Sequence, residues 1–388
     1  MALCRYITSS FGSASTVSGT AGQLVTMLDA VLVNGFGGGT CTLSQASGTA
    51  TLTLAAHGFV DQQVVEISGA TPSDYNGLKR VTYVSSSVVT FTIDSGVASP
   101  ATGTITCKTA SLGWTILYTG TNKRVYQMGT GSLGFVLRVD DTGTPNAYAA
   151  LVKMAESATD IDTLVDPFPT AAQINNTGAY YYIHKSNGNN STTRAWWIQG
   201  DEKSFTLATI SDGTNWMAYY FGEMEKIYSS DAFCCGIAAE YSVAMTTTVN
   251  RTFPQYATGN SLTAFTLTAN QQVMILARAG NQTTKSPVAN AISPCTLQAA
   301  QVSGFSTVLK PYGTSYGLAG QSVFQDSGGM RGFMRGVYDP FQVVVNDTSY
   351  ATTDFGLPAG ANLLGKVLTA TVNAATGYIL LQVGGSLP

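Results

Sequence analysis

The stretch AHGFVDQQVVEISGATPSDYNGLKRVTYV, residues 56–84, consists of short alternating segments separated by glycines and other turn residues. It lies between LVNGFGGG at 32–39 and LGWTILYTGTNKRVYQ at 112–127, which have the character of one continuous unit. Exposed loops tolerate insertions, so a segment inserted there is expected to leave its host unit intact. The sequence therefore predicts a small β-module inserted into a loop of a larger host.

The inserted module is predicted to extend over residues 40–108. β-Branched or aromatic residues stand at alternate positions in five segments, which are TATLTLAAHGF, QVVEISG, KRVTYV, VVTFTID and GTITCKT. Such alternation between runs of turn residues is typical of strands. We predict a five-strand β-module of about 70 residues, near the size at which a small β-domain folds by itself. The glycines of GFGGG, residues 35–39, are predicted to form a flexible junction at its start.

The clearest helix is predicted within SGTAGQLVTMLDAVLVNGF, residues 18–36. Apolar residues recur there at steps of three and four, and this set is Leu24, Met27, Leu28, Val31 and Leu32. Thr20 is predicted to cap the helix, and Asn34-Gly35 is predicted to end it. Nearly all of the remaining chain has the pattern of strands and turns.

The predicted fold is mainly β, with one or two short helices, in several β-sandwich-like or barrel-like domains. A chain of 388 residues exceeds the ~250–300 at which a single core stops growing, so more than one domain is expected. The predicted division is an N-terminal segment with the host helix at 1–39, the inserted module at 40–108, a host β-domain at 109–250 and a C-terminal β-domain at 251–388.

The composition argues against several classes of partner. Only 11% of the residues are charged, against a usual ~25%, and the net charge of −3 is accompanied by no Lys/Arg cluster. A nucleic-acid groove needs a basic surface, so direct nucleic-acid binding is not expected. No apolar run reaches the ~18 residues of a membrane span, and residues 1–19 lack the apolar centre of a signal peptide. We expect synthesis and use in a cytoplasm.

Six cysteines are present without C-x-x-C spacing, which disfavours zinc or a redox dithiol. Cys41 and Cys107 lie in the first and last segments of the module, and pairing of those segments would bring the two sulfurs close. They are predicted to form either a disulfide or a pair of buried thiols. Reduced thiols are favoured for a cytoplasmic product.

No catalytic or metal site is predicted. His57 in a turn and His184 before a predicted hairpin tip have no partners for a triad or a metal in the sequence. Three places carry paired carboxylates next to turn residues, where Asp commonly bonds its own backbone, and they are Asp140-Asp141, Asp160/Asp162 and Asp201-Glu202. The spacing of Asp160, Asp162 and Asp166 lacks the Gly and Glu of a calcium loop. We therefore predict no cofactor, no metal and no enzymatic activity.

Aromatic residues are concentrated in two neighbouring strand-like runs, and the set is Trp196, Trp197, Trp216, Tyr219, Tyr220 and Phe221. Packing in the core is the favoured interpretation, since strand alternation would direct Trp196 and Trp197 to opposite faces. The alternative is an exposed group of rings that forms a protein interface or stacks on a host-surface glycan.

Several stretches resemble structural proteins of tailed-bacteriophage particles. The resemblance rests on TAGQLVTMLDAVLVNGFG and GWTILYTGTNKRVYQ around the insertion, and on WWIQGDEKSFTLATI, WMAYYFGEMEKIYSSDAFCCGI and DSGGMRGFMRGVYDPF further along the chain. The stretch at 56–84 is similar to a small β-module that recurs in phage tail and baseplate proteins. These stretches are patterns of packing and turns, so the resemblance supplies no catalytic residue.

The resemblance implies a multicopy virion component that assembles in the cytoplasm of an infected bacterium with copies of itself and other virion proteins. A tail subunit is favoured, in the sheath, a tube-decorating layer or a tail-proximal ring. Low charge suits subunits that tile against one another, because few charges then lose their water. The alternatives are a head-decoration or head-fibre protein, and a receptor-binding tail-fibre or baseplate protein that binds host glycan.

Overall fold

The structure is a computed structural model, and the prediction of a mainly β, multi-sheet fold is confirmed. It describes residues 3–171, 173, 180–210, 216–239, 274–280, 282, 284, 290–292, 318–325, 329–340, 350–352, 363–372 and 375–382. All strand pairs in the described part are antiparallel, and most join strands that are consecutive along the chain. Most of residues 251–320, the first part of the predicted C-terminal β-domain, lie outside the described residues.

The N-terminal segment contributes one strand and the predicted helix. Strand β1 is Arg5–Thr8, helix α1 is Gln23–Leu28, and α1 continues directly into a π-helix at Asp29–Asn34. The predicted apolar face of this helix is buried throughout. The predicted cap at Thr20 is wrong. The residue before the helix is Gly22, with φ 81°, and glycine has no side chain that could cap the helix. Gly35, with φ 68°, ends the π-helix as predicted.

The inserted module is a sandwich of two four-stranded sheets. Its strands are β2 (Phe36–Thr40), β3 (Thr42–Ala46), β4 (Thr49–Thr53), β5 (Val64–Ser68), β6 (Gly77–Arg80), β7 (Thr82–Ser85), β8 (Val88–Thr92) and β9 (Thr106–Thr109), with a 3-10 turn at Ser73–Tyr75. One sheet has the order β2-β9-β5-β6 and the other β3-β4-β8-β7. The prediction of five strands is therefore wrong.

Two features explain the extra strands of the module. The predicted single strand KRVTYV changes sheets at Val81, so that it forms β6 in one sheet and β7 in the other. The glycine-rich stretch predicted as a flexible junction is strand β2, which pairs with β9 through a register shift between Phe36 and Gly39. A Cβ atom on Gly38 would lie 1.9 Å from the carbonyl oxygen of Cys107, so this close pairing requires glycine.

Residues 41–107 bury an apolar core among themselves. Leu43, Leu52, Ile67, Tyr75 and Phe91 are among its members, and Cys41 and Cys107 lie at its boundary with the host. The alternating residues of both sheets point into this core, as in other two-layer β domains.

A five-stranded sheet follows the module. The strands of this part are β10 (Thr115–Gly120), β11 (Lys123–Gln127), β12 (Val136–Asp140), β13 (Ala149–Ala155), β14 (Ser157–Ala158), β15 (Leu164–Val165) and β16 (Tyr181–His184). The sheet has the order β10-β11-β12-β13-β16, and β14 and β15 form a separate short hairpin. The hairpin places Ala158 and Leu164 against a small apolar cluster on the sheet.

The remaining strands join β1 in one large antiparallel sheet. They are β17 (Trp196–Gly200), β18 (Ser204–Ile210), β19 (Trp216–Lys226), β20 (Cys235–Ala238), β21 (Met274–Leu276), β22 (Asn290–Ile292), β23 (Leu318–Gln325), β24 (Gly329–Pro340), β25 (Tyr350–Thr352), β26 (Leu363–Val372) and β27 (Ala375–Gln382). Pairing of β19 with both β20 and β24 closes β19 to β24 into a ring. This sheet takes strands from both sides of residue 250, so the predicted division at 109–250 and 251–388 does not separate two sheets.

Where its side chains are described, in β17–β21 and part of β24, the large sheet contributes to a core on each face. One face packs with α1 and the five-stranded sheet in a core that contains Trp196, Leu207 and Tyr219. The other face forms a second core with Met334 and Val337 of β24. Successive residues of β17 and β19, such as Trp196 and Trp197, therefore enter different cores, as the two-residue period of a strand requires.

Candidate functional site

The two adjacent tryptophans lie on opposite faces of β17, as strand alternation predicts. Trp196 is 1% exposed, and its indole Nε1 donates to the carbonyl oxygen of Ser15 at 2.9 Å. Trp197 is fully buried, with its ring centroid 6.2 Å from that of Tyr6. Each ring therefore fills one of the two cores and ties the N-terminal segment to the large sheet.

Tyr219 and Tyr220 are also fully buried. The hydroxyl of Tyr219 accepts the backbone N–H of His184 at 3.0 Å. The hydroxyl of Tyr220 donates to the carbonyl oxygen of Glu223 and accepts the backbone N–H of Arg335. Buried aromatic residues of this kind join elements of a core.

The alternative of an exposed aromatic surface is wrong for most of this set. Trp196, Trp197, Tyr219 and Tyr220 are too deeply buried to stack on a glycan or to meet another protein. Only the backbone of Trp216 lies within the described residues, in β19, and its side chain lies outside them.

Asp141 and Lys185 form a fully buried ion pair. The Asp141 carboxylate also accepts the backbone N–H of Leu24 at 2.8 Å, and Lys185 also donates to the carbonyl oxygen of Thr20. Burial raises the pKa of Asp141 and lowers the pKa of Lys185, while their mutual attraction opposes both shifts. A carboxylate at a helix amino terminus is favourable, so this contact performs the capping that Thr20 was predicted to provide.

Asp201 and Arg335 form a second buried ion pair. Both carboxylate oxygens of Asp201 accept from the guanidinium, each at 2.7 Å. Asp201 also accepts the backbone N–H groups of Lys203 and Ser204, so the expected turn bonds are present. The two-point contact fixes β24 to the β17–β18 hairpin.

Asp140, Asp160 and Asp162 form turns and partly buried ion pairs. Asp140 accepts the backbone N–H of Thr142, and Asp160 accepts that of Asp162 at 2.8 Å. Arg138 bridges Asp140 and Asp162. Within the described ranges, no group of three or more His, Cys, Asp or Glu side chains has an arrangement that could hold a metal ion.

The two histidines have structural contacts. The Nδ1 atom of His57 accepts the Phe59 N–H at 2.9 Å, and so its Nε2 atom carries the proton and donates to the Ser85 carbonyl oxygen. The fully buried His184 in β16 stacks against Tyr148, with 6.0 Å between ring centroids. His57 therefore joins a turn to the end of β7.

Cys41 and Cys107 are buried thiols in the module core. The Cys41 thiol donates a hydrogen bond to the Cys107 sulfur, which raises the pKa of Cys41 and lowers the pKa of Cys107. Strands β2 and β9 pair, so the two cysteines lie where the chain enters and leaves the module.

The junction between module and host is short. Phe36 pairs with Thr109 at the start of β2 and the end of β9, so the two connections lie side by side. Arg80 of the module donates to the carbonyl oxygen of Cys4 at 2.8 Å. Gly12 and Gly58 approach so closely that a Cβ atom on Gly12 would lie 3.2 Å from the Gly58 Cα atom.

Large apolar side chains are exposed in both parts of the described chain. On the module they are Val60, Leu78, Tyr83 and Val84, and on the host Leu117, Val165, Ile227 and Tyr228. Tyr228, 64% exposed, follows β19 at the turn toward β20, beside Ile227 at 44%. Exposed aromatic and aliphatic side chains are common at protein interfaces.

Sequence reasoning did not identify Lys185, Arg331 or Arg335 as structural residues. Arg331 donates to the Asp231 carboxylate at 2.6 Å, and both side chains are buried. The sequence did offer one signal for them, a Lys or Arg inside a strand-like apolar run. Lys and Arg are seldom buried without a partner, so a buried ion pair was the inference available.

Comparison of the chain with protein-family models, curated proteins and solved structures gives no match. In the part of the chain that the structure describes, no helix is long and apolar enough to cross a membrane.

Proposed function

We propose that this chain is a structural subunit of a tailed-bacteriophage particle and acts by assembly. A multicopy tail component is the favoured form, in the sheath, a tube-decorating layer or a tail-proximal ring. Its partners are copies of itself and other virion proteins, and assembly takes place in the cytoplasm of the infected bacterium.

The inserted module is the feature of the structure that supports this proposal most directly. Residues 41–107 have their own core, and the chain enters and leaves through the paired ends of β2 and β9. Such a module can be added to a host without disturbing the host core, and it presents additional surface to neighbours. This arrangement supports a role in contact and display.

The distribution of charge supports the same proposal. The buried carboxylates of Asp141, Asp201 and Asp231 each pair with a cation of the same chain. These groups stabilise the fold and are not available to bind or protonate a substrate. The exposed apolar residues Tyr228 and Ile227 can meet a neighbouring subunit without desolvating a charge.

Two other roles in the particle are proposed as alternatives to the tail subunit. A head-decoration or head-fibre protein requires the same kind of subunit at another position in the particle. A receptor-binding tail-fibre or baseplate protein requires a glycan surface, which the buried residues Trp196, Trp197, Tyr219 and Tyr220 do not provide.

Immunogold labelling of purified particles with an antibody against the module tests this proposal. Regular labelling along the tail or at its head-proximal end is the expected result. Labelling over the head would support a decoration protein, and labelling only at the tail tip would support a receptor-binding protein. Absence of label, together with absence of the chain from the particles by mass spectrometry, would overturn the proposal.

A further inference from the structure

Lys185 and Asp141 hold an amine and a carboxyl group together, away from water. Asp141 follows β12, Lys185 follows β16, and β13 lies between those two strands in the five-stranded sheet. The Lys185 Nζ atom contacts the Asp141 Oδ1 atom, and both side chains are fully buried. The carboxyl carbon of Asp141, Cγ, is one covalent bond from the contacted oxygen. The two groups that would condense into an amide are therefore adjacent.

Hydrogen bonds fix the backbone of both residues. The Asp141 N–H donates to the Asn122 carbonyl oxygen at 2.8 Å, and the Asp141 carbonyl oxygen accepts the Gly22 N–H at 2.9 Å. The Lys185 N–H donates to the Tyr148 carbonyl oxygen at 2.9 Å. Two reacting groups held in one geometry have a far higher effective concentration than free groups in solution. The fold thus places this pair as reactants within one molecule.

Burial also favours the reactive forms of the two groups. An amide forms from a neutral amine and a carboxylic acid, because an ammonium has no free electron pair and a carboxylate resists attack. Burial raises the pKa of Asp141 and lowers the pKa of Lys185, although their mutual attraction opposes both shifts. Transfer of one proton from Lys185 to Asp141 converts the ion pair into the neutral pair with no change in net charge.

We propose that Lys185 and Asp141 condense, after the chain has folded, into an intramolecular isopeptide bond that joins the end of β16 to the end of β12. The electron pair of Lys185 Nζ attacks Asp141 Cγ, and the N–C bond forms. The C–O bond to the hydroxyl of the resulting tetrahedral intermediate then breaks. The leaving hydroxyl takes one proton from Nζ and departs as water, so the reaction needs no oxidant and no second reactant.

Leu24 supplies a donor for the charge that develops in this reaction. Its backbone N–H donates to Asp141 Oδ2 at 2.8 Å. When the hydroxyl leaves from Oδ1, Oδ2 is the oxygen that carries the negative charge of the intermediate, and a donor fixed there lowers the barrier. Lys185 Nζ also donates to the Thr20 carbonyl oxygen, a contact that the N–H of the amide can keep. The buried ion pair is the state that precedes the reaction.

Two other ion pairs each lack one of these conditions. Lys123 contacts Asp162 at 3.1 Å, but the Asp162 side chain is 57% exposed, so its carboxylate stays hydrated and charged. Asp201 is fully buried, but its partner Arg335 has a guanidinium, which keeps its proton and is not a nucleophile. Both pairs are therefore expected to remain ionic, and they provide internal controls.

The mass of the intact, fully denatured protein tests the proposal. The wild type should be lighter than its sequence by the mass of one water molecule, and the fraction with this deficit should grow while the folded protein is incubated. Lys185→Arg keeps a cation beside Asp141 but cannot form the amide, so it should have the full mass. Lys123→Arg is the matched control and should keep the deficit. The wild-type mass decides the question whether or not Lys185→Arg folds.

Digestion with trypsin locates the bond. Trypsin does not cleave after a lysine whose side chain is an amide, so peptide 139–153, which contains Asp141, should be recovered joined to peptide 154–194. A wild type of full mass after incubation, with normal cleavage after Lys185, would overturn the proposal. A mass deficit that maps to other residues would overturn it as well. The inference concerns the host alone and does not depend on the proposed function.

Discussion

The carboxylate of Asp141 is buried between the Lys185 ammonium and the backbone N–H of Leu24. The separations along the chain are 44 residues to Lys185 and 117 residues to Leu24. One side chain therefore joins the end of β12, the end of β16 and the amino terminus of α1. Its partners connect the helix to the five-stranded sheet that follows the module.

Replacing Asp141 by Asn should destabilise the host strongly, because the Lys185 ammonium would stay buried without an anion. A loss of ~3–5 kcal/mol is expected, seen as a lower urea midpoint. The matched control is Lys123→Met, which removes a cation next to the 57%-exposed side chain of Asp162 and should cost less than ~1 kcal/mol. Equal effects of the two variants would show that the buried pair has no special role.

The geometry of Arg335 predicts that lysine cannot replace it. An ammonium cannot form the paired contacts to both oxygens of Asp201, so Arg335→Lys should lower stability by ~2 kcal/mol. Arg278→Lys provides the control, since Arg278 makes a similar two-point contact with Glu156 at a site where the side chains are 23% and 18% exposed. Chemical denaturation of both variants checks this prediction, and a larger loss in Arg278→Lys would contradict it.

Removal of the module should leave the host folded. Phe36 and Thr109 are paired, so replacing residues 37–108 by Asn-Gly would turn the two strand ends into a hairpin. The shortened chain is expected to be soluble, with a β-type circular dichroism spectrum and a cooperative thermal transition. Deleting 123–140, which removes two strands of the host sheet, should instead prevent folding. Insolubility of both deletions would argue against an independent module.

The buried carboxyl group of Glu223 should make the host less stable at neutral pH than at acidic pH. It is 8% exposed, and burial raises its pKa, although the Leu133 N–H that it accepts opposes the shift. The folded protein then holds this proton more tightly than the unfolded chain does. Stability contributed by protonation is present below the unfolded pKa and is lost as the pH rises through the folded pKa.

Glu223→Gln should therefore raise the melting temperature at pH 7, because the amide can still accept from Leu133. The difference from the wild type should shrink toward pH 4. Thermal melts across this range check the prediction. A variant that is less stable than the wild type at pH 7 would show that the charge of Glu223 is favourable.

The exposed turn after β19 is predicted to be an assembly contact. Replacing Ile227 and Tyr228 by Ser should leave the melting temperature within a few degrees, since both side chains are exposed. Incorporation into particles should fall at least tenfold, because a central aromatic anchor contributes ~2 kcal/mol or more. Val165→Ser, at a residue 41% exposed, is the control and should incorporate normally. Normal incorporation of the double variant would exclude this turn from the interface.

Local patterns in the sequence were enough to predict many elements. The three- and four-residue spacing around Leu24 and Leu28 predicted the helix, and alternation placed Trp196 and Trp197 on opposite faces. These features depend on residues that are near one another in the chain. The same is true of the turn bonds made by Asp140, which adjacent residues provide.

Contacts between distant residues were not predictable in this way. Nothing near Asp141 in the sequence indicates Lys185 or the helix amino terminus as its partner. The strand β2 was missed because glycine disfavours strands in general, whereas at Gly38 it is needed for the close approach to Cys107. The change of sheets at Val81 leaves the alternating pattern almost continuous, so β6 and β7 were predicted as one strand.

Copy number in purified particles is the most direct test of the structural role. Quantitative mass spectrometry with isotope-labelled peptides from this chain, normalised to the major capsid protein, gives the number of copies per particle. The proposed role as a tiling tail subunit predicts dozens of copies. Three or six copies would instead indicate a fibre or baseplate component, and absence of the chain from intact particles would contradict a structural role in the virion.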